Sequence, residues 1–167
     1  AEIFSESDAR PAFAVAQRLI ESKTTLALAE SCTGGLVAEL LTEVPGVSAV
    51  FKAGWVAYSN DFKSTGLGVP TELIERHGAV SREVAEAMAL GAARAAGTDL
   101  ALSITGIAGP DGGTPDKPVG LVWFALCVRG AVEGVEVRFP AVDRASIRRF
   151  AAHSALDWIR RSVAASR

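Results

Sequence analysis

Residues 26–36 read LALAESCTGGL. An apolar run passes through a serine, a cysteine and a threonine to two glycines, and then becomes apolar again. Thr24–Ala29 is short and alternates weakly, the pattern of a strand. Leu36–Val44 returns to helical spacing and is stopped by Pro45-Gly46. The polar residues in between occupy a strand-to-helix turn. Gly34 and Gly35 give that turn backbone freedom, and the first turn of the following helix carries N–H groups suited to an anion or a developing oxyanion. The simpler reading is that Ser31 or Thr33 only caps the helix.

The same alternation continues on both sides. A helix is predicted over Ser7–Ser22, with Asp8 as its cap and Pro11 in its first turn. Beyond the turn come a strand at Gly54–Tyr58, short helices at Asn60–Leu67 and Thr71–Arg76, and a longer helix from the Ser81 cap to Ala96. A strand at Asp99–Thr105 follows, then strands at Val119–Val128 and Val132–Phe139 joined at Arg129-Gly130. The last element is a helix over Asp143–Ala165. This order predicts one domain over residues 1–167, an α/β fold arranged as a three-layer α/β/α sandwich. Its sheet is mixed and mostly parallel, with one antiparallel strand.

Composition narrows the function classes. The 167 residues are 49% apolar and 22% charged, with a net charge of −2, so no electrostatic footprint for nucleic acid or an anionic membrane is expected. The arginine pairs 148–149 and 160–161 read as the wet face of the last helix. Two cysteines and two histidines give neither a disulfide framework nor metal-ligand spacing. No metal and no cofactor are expected, nor is a membrane span or a leader sequence, and the chain reads as cytoplasmic.

Three polar segments follow predicted strands. The first is Ser31–Gly35. The second runs from Thr105 to Thr114, TGIAGPDGGT, with four glycines in ten residues, more than a tight turn requires. The third, Tyr58–Lys63, supplies a phenol and an ammonium. Ligands of open α/β sheets sit beyond the carboxyl ends of parallel strands, so these loops would share one crevice. If Lys63 meets Ser31 there, a desolvated lysine would serve as base to a serine. His77 and His153 provide no convincing Ser-His-Asp triad. Cys32 is either a nucleophile at a helix start or a packing residue. Arg144 is either surface or a phosphate contact. The runner-up reading is a binding or regulatory module whose glycine loops cradle a nucleotide without chemistry.

AESCTGG (29–35), AYSNDFK (57–63), HGAVS (77–81) and SITGIAGPDGGTPDKPVGLVWFA (103–125), with DRASIRR (143–149) more loosely, resemble the CinA C-terminal domain family. The resemblance runs from about Val15 to Ile159. It implies the three-layer fold, association into a homo-oligomer, and hydrolysis of the carboxamide of nicotinamide mononucleotide to nicotinate mononucleotide and ammonia. By position it implies Ser31 as nucleophile, Lys63 as base, Tyr58 as their assistant, and the Thr33 and Gly34 amides as oxyanion hole. Cys32, Gly35, Thr105, Gly106, Ala108, Gly109 and Arg144 would contact the substrate.

Overall fold

A computed structural model describes residues 9–165. In chain order the elements are α1 (Ala9–Ser22), β1 (Leu26–Glu30), α2 (Leu36–Thr42), β2 (Phe51–Val56), α3 (Asn60–Leu67), α4 (Thr71–His77), α5 (Arg82–Ala96), β3 (Leu100–Gly106), β4 (Leu121–Val128), β5 (Ala131–Arg138) and α6 (Arg144–Ala165), with a 3-10 turn at Val47–Ala49. Asp8, the expected first cap, lies outside the described residues. The second strand starts three residues before its predicted position, because the 3-10 turn uses up the chain after Gly46 and delivers Phe51 directly to β1.

The strands lie in the order β2-β1-β3-β4-β5. β1 pairs parallel with both β2 and β3, while the β3–β4 and β4–β5 pairings are antiparallel. β4 is therefore the one strand that runs against the rest, as the sequence reading expects.

Alternation of side-chain size within the strands sets the layers. Leu26, Leu28, Leu100, Leu102, Ile104, Val122, Phe124 and Leu126 pack into one core with α1, α2 and α6. Ala27, Ala29, Ala101, Ala125 and Cys127 face the other side, toward α3, α4 and α5. Successive strand residues point to opposite faces, so one face is built of large aliphatics and the other mostly of alanines. The small face lets α5 lie close to the sheet, where the buried Ser103 hydroxyl donates to the Ala85 carbonyl at 2.6 Å. Helix α2 carries the chain from β1 to β2 on one face. Helices α3 to α5 carry it from β2 back across to β3 on the other. The strand order thus reverses at β1, and the carboxyl ends of β1 and β3 lie side by side, the place where open α/β sheets hold a ligand crevice.

Candidate active site

Ser31 follows the last residue of β1 directly. Its N–H donates to the Ile104 carbonyl at 2.9 Å, and its own carbonyl accepts from the Gly34 N–H at 3.0 Å. Both backbone groups of the serine are therefore fixed. Gly34 and Gly35 have φ of 63° and 95°, a left-handed pair that side chains rarely adopt, and Gly35 leads into α2.

The helix start is filled differently from the expectation. Neither Ser31 nor Thr33 caps α2. The carboxylate of Glu30, only 1% exposed, accepts from the N–H groups of Gly35 and Val37 at 3.1 Å and of Ala38 at 2.9 Å. A buried carboxylate is tolerated where several N–H donors and a helix dipole surround it. The Gly35, Val37 and Ala38 amides are thereby occupied, the Gly34 amide is bonded to Ser31, and the Leu36 amide donates to the Thr33 carbonyl at 3.3 Å. The Thr33 side chain is wholly buried, and among the described residues its hydroxyl finds no hydrogen-bond partner. Glu30 escaped the sequence reading because it looks like the last residue of a strand. The one available signal was a carboxylate placed a few residues before a helix start.

Lys63 is the largest of the fully buried side chains, 2% exposed. It sits in the first turns of α3, whose Ser59 cap accepts from the Phe62 N–H at 3.1 Å. Among the described residues its ammonium makes one long hydrogen bond, 3.4 Å to the Tyr58 carbonyl. Burial pushes the Lys63 pKa below its ordinary value, and Cys32 opposes the shift. The Cys32 thiol is pushed up to about 12, chiefly by burial and further by Glu30, with Arg144 and Arg148 pulling it down. A thiol so held is protonated at neutral pH and is a poor nucleophile.

Tyr58, 59% exposed, lies past the end of β2. Its hydroxyl accepts from Arg144 at 2.7 Å, and the same guanidinium donates to the Gly109 carbonyl at 2.8 Å. Arg144 thus joins the 57–63 segment to the glycine loop. One turn further along α6, Arg148 donates to the Thr33 carbonyl at 2.8 Å. Residues four apart share a helix face, so α6 presents two guanidiniums to the strand ends. This corrects the assignment of the 148–149 pair to a single wet face: Arg149 is exposed while Arg148 turns inward.

Several residues expected to touch substrate have packing duties. The Thr105 hydroxyl donates to the Ala79 carbonyl at 2.8 Å. Ala108 is buried in the aliphatic core. A Cβ on Gly106 would come within 2.7 Å of Val122 and 2.8 Å of the Leu121 carbonyl, so glycine is needed there for strand approach. Gly109 has φ of 71° and precedes a cis peptide to Pro110. Lys117 anchors the far end of this loop, donating to the carbonyls of His77 and Val80 at 2.6 and 2.8 Å. Among the described residues, no group of three or more His, Cys, Asp or Glu is arranged to hold a metal, and no helix is long and apolar enough to cross a membrane.

The fold and these strand ends define a three-layer α/β/α domain whose candidate site lies where the strand order reverses. The chain belongs to the CinA family: the model of the CinA C-terminal domain matches residues 9–163. It is 53% identical over 161 residues to a CinA-like protein of Citrifermentans bemidjiense and 48% identical to a putative competence-damage inducible protein of Clostridium kluyveri. Each match covers 96% of this chain and 39% of the relative. The chain therefore spans about two fifths of the length of these relatives. Among solved structures, it superposes with a TM-score of 0.91 on the competence/damage inducible protein CihA of Agrobacterium tumefaciens. That pair is 39% identical, and the match covers 98% of this chain and 99% of the other. A competence damage-inducible protein of Klebsiella pneumoniae gives a TM-score of 0.92 at 33% identity, covering 97% and 100%.

Proposed function

We propose that this domain is a serine amidohydrolase that converts nicotinamide mononucleotide to nicotinate mononucleotide and ammonia. The observation that supports it most is the state of Lys63. The side chain is 2% exposed, bonded only weakly, and shifted toward its neutral form. Such a residue is costly to the fold and useful as a base.

In this reading Ser31 Oγ attacks the carboxamide carbon as its proton passes to Lys63 Nζ. The negative charge that develops on the amide oxygen is met by backbone N–H of the turn, a role we assign to the Thr33 amide. A good donor contributes on the order of 3–4 kcal/mol to the barrier. Lys63 then returns the proton to the leaving nitrogen, ammonia departs, and water cleaves the acyl-serine. Arg144 supplies positive charge that the glycine loops lack and favours a phosphorylated substrate. Cys32, held as a thiol, stays out of the chemistry.

Ammonia release from the mononucleotide tests the reading. Lys63→Arg retains a charge that cannot be shed and should lower kcat by about 10² or more. Ser31→Ala should do the same, and the double variant should be scarcely worse. Binding of the mononucleotide without ammonia release would favour the binding-module reading instead, and an unimpaired Lys63→Arg protein would remove the serine–lysine pair.

A further inference from the structure

The hydrogen bond from Arg148 to Thr33 lies outside the steps above and bears on the shape of the turn. The Thr33 carbonyl and the Gly34 N–H belong to one rigid peptide plane and point in opposite directions. Arg148 Nη2 grips the carbonyl side at 2.8 Å. The N–H side donates to the Ser31 carbonyl at 3.0 Å. Guanidinium, peptide and serine carbonyl thus form a short polarised chain, in which each bond strengthens the next. The guanidinium also lies against Gly34, 3.4 Å from where a Cβ would stand. The side chains of Cys32 and Thr33 are buried beside this peptide, while the glycines at 34 and 35, with φ of 63° and 95°, add no side chain to hold it.

We infer that Arg148 is a positioning residue: by pinning the Thr33–Gly34 peptide from helix α6, it holds the shape of the Ser31 turn. This rests on the amidohydrolase reading for its effect on rate, though not for its effect on the turn. The turn has two supports of different kinds. Glu30 secures the α2 side through the Gly35, Val37 and Ala38 amides. Arg148 secures the Thr33–Gly34 plane, which Glu30 does not reach. Without Arg148 the helix still forms, but the Thr33–Gly34 peptide loses its shortest bond and keeps the longer one from the Leu36 N–H to the Thr33 carbonyl, 3.3 Å, and the Gly34 N–H bond to Ser31, 3.0 Å.

The test compares Arg148→Met, which keeps length and removes the donors, with Arg148→Lys, which restores one donor without the planar fork. Arg148→Met should lower kcat for ammonia release about 10- to 100-fold, the scale of small misplacements of reacting groups. KM should stay within about 3-fold, because uniform binding is not what is lost. Arg148→Lys should recover part of that kcat. Independently of turnover, amide hydrogen exchange over residues 31–38 should speed up in Arg148→Met, while exchange in α5 stays as in the parent. A kcat equal to the parent's, a rise in KM alone, or unchanged exchange over 31–38 would each overturn the inference. If the parent protein releases no ammonia, the amidohydrolase reading fails. The exchange measurement then decides by itself whether Arg148 holds the turn.

Discussion

Replacing Lys63 by methionine should make the protein more stable and inactive at once. Lys63 is 2% exposed, and among the described residues its ammonium has one hydrogen bond, at 3.4 Å. The native state therefore holds a polar head group with most of its hydrogen-bonding capacity unused, which costs free energy however the group titrates. Methionine has a similar length, adapts to irregular space and carries no such penalty. The expected gain at pH 7 is about 2 kcal/mol. In a domain of this size that raises Tm by roughly 4–8 °C.

The pH dependence gives the sharper signature. The folded-state pKa of Lys63 lies below the ordinary 10.5, through burial first. Between the two values the unfolded chain holds a proton that the folded one has shed, so the parent gains stability as pH rises through this window. Below the folded-state value the penalty of the buried ammonium is present in full. The advantage of Lys63→Met should therefore be largest at neutral pH and shrink as pH approaches about 10. Urea denaturation of both proteins at pH 7, 8.5 and 10 measures this. A methionine variant that is less stable at pH 7, or a difference that does not change with pH, would refute the reasoning.

Glu30→Gln should be strongly destabilising. An amide keeps one acceptor where the carboxylate serves three N–H groups, and its NH₂ faces donors, so a loss of about 2–4 kcal/mol in urea unfolding is expected. Cys32→Ala should keep kcat within about 3-fold, since a thiol pushed up to about 12 by burial is not the attacking group. A kcat loss of more than about 10-fold would reassign the nucleophile. Nicotinamide riboside should be hydrolysed with kcat/KM at least about 10-fold below the mononucleotide, and Arg144→Met should narrow that gap by weakening the phosphorylated substrate. Equal kcat/KM for the two substrates in the parent would remove the phosphate subsite.

The layers of this fold were legible in the sequence because they depend on local periodicity. The helix over Asn60–Leu67 falls at its predicted bounds, and the Arg129-Gly130 turn joins β4 to β5 as its composition suggests. Strand order was not legible, since nothing local says that β1 lies between β2 and β3. The site shows the same division. Ser31, Tyr58 and Lys63 stand out because they break apolar patterns at strand ends. Glu30 and Arg148 do not, because a glutamate ending a strand and an arginine in a basic pair resemble ordinary surface residues until distant segments fold against them. Thr105 and Ala108 sit in a glycine-rich motif, and there a hydroxyl bound to Ala79 and a methyl in the core also serve the scaffold.

The hairpin of β4 and β5 gives the sheet a working end and an idle one. The candidate site lies beyond the carboxyl ends of β1 and β3, while the Arg129-Gly130 turn closes the opposite edge. Eight residues of β4 separate the two ends, about 26 Å of extended chain. Arg129 and Gly130 already adopt left-handed conformations with φ of 47° and 90°, and space around Gly130 is open, with nothing within 4 Å of an added Cβ. A peptide tag, fluorophore site or surface tether spliced between these two residues would leave the strand ends facing solution. The domain thus has a natural handle for immobilisation, on the side away from its candidate chemistry.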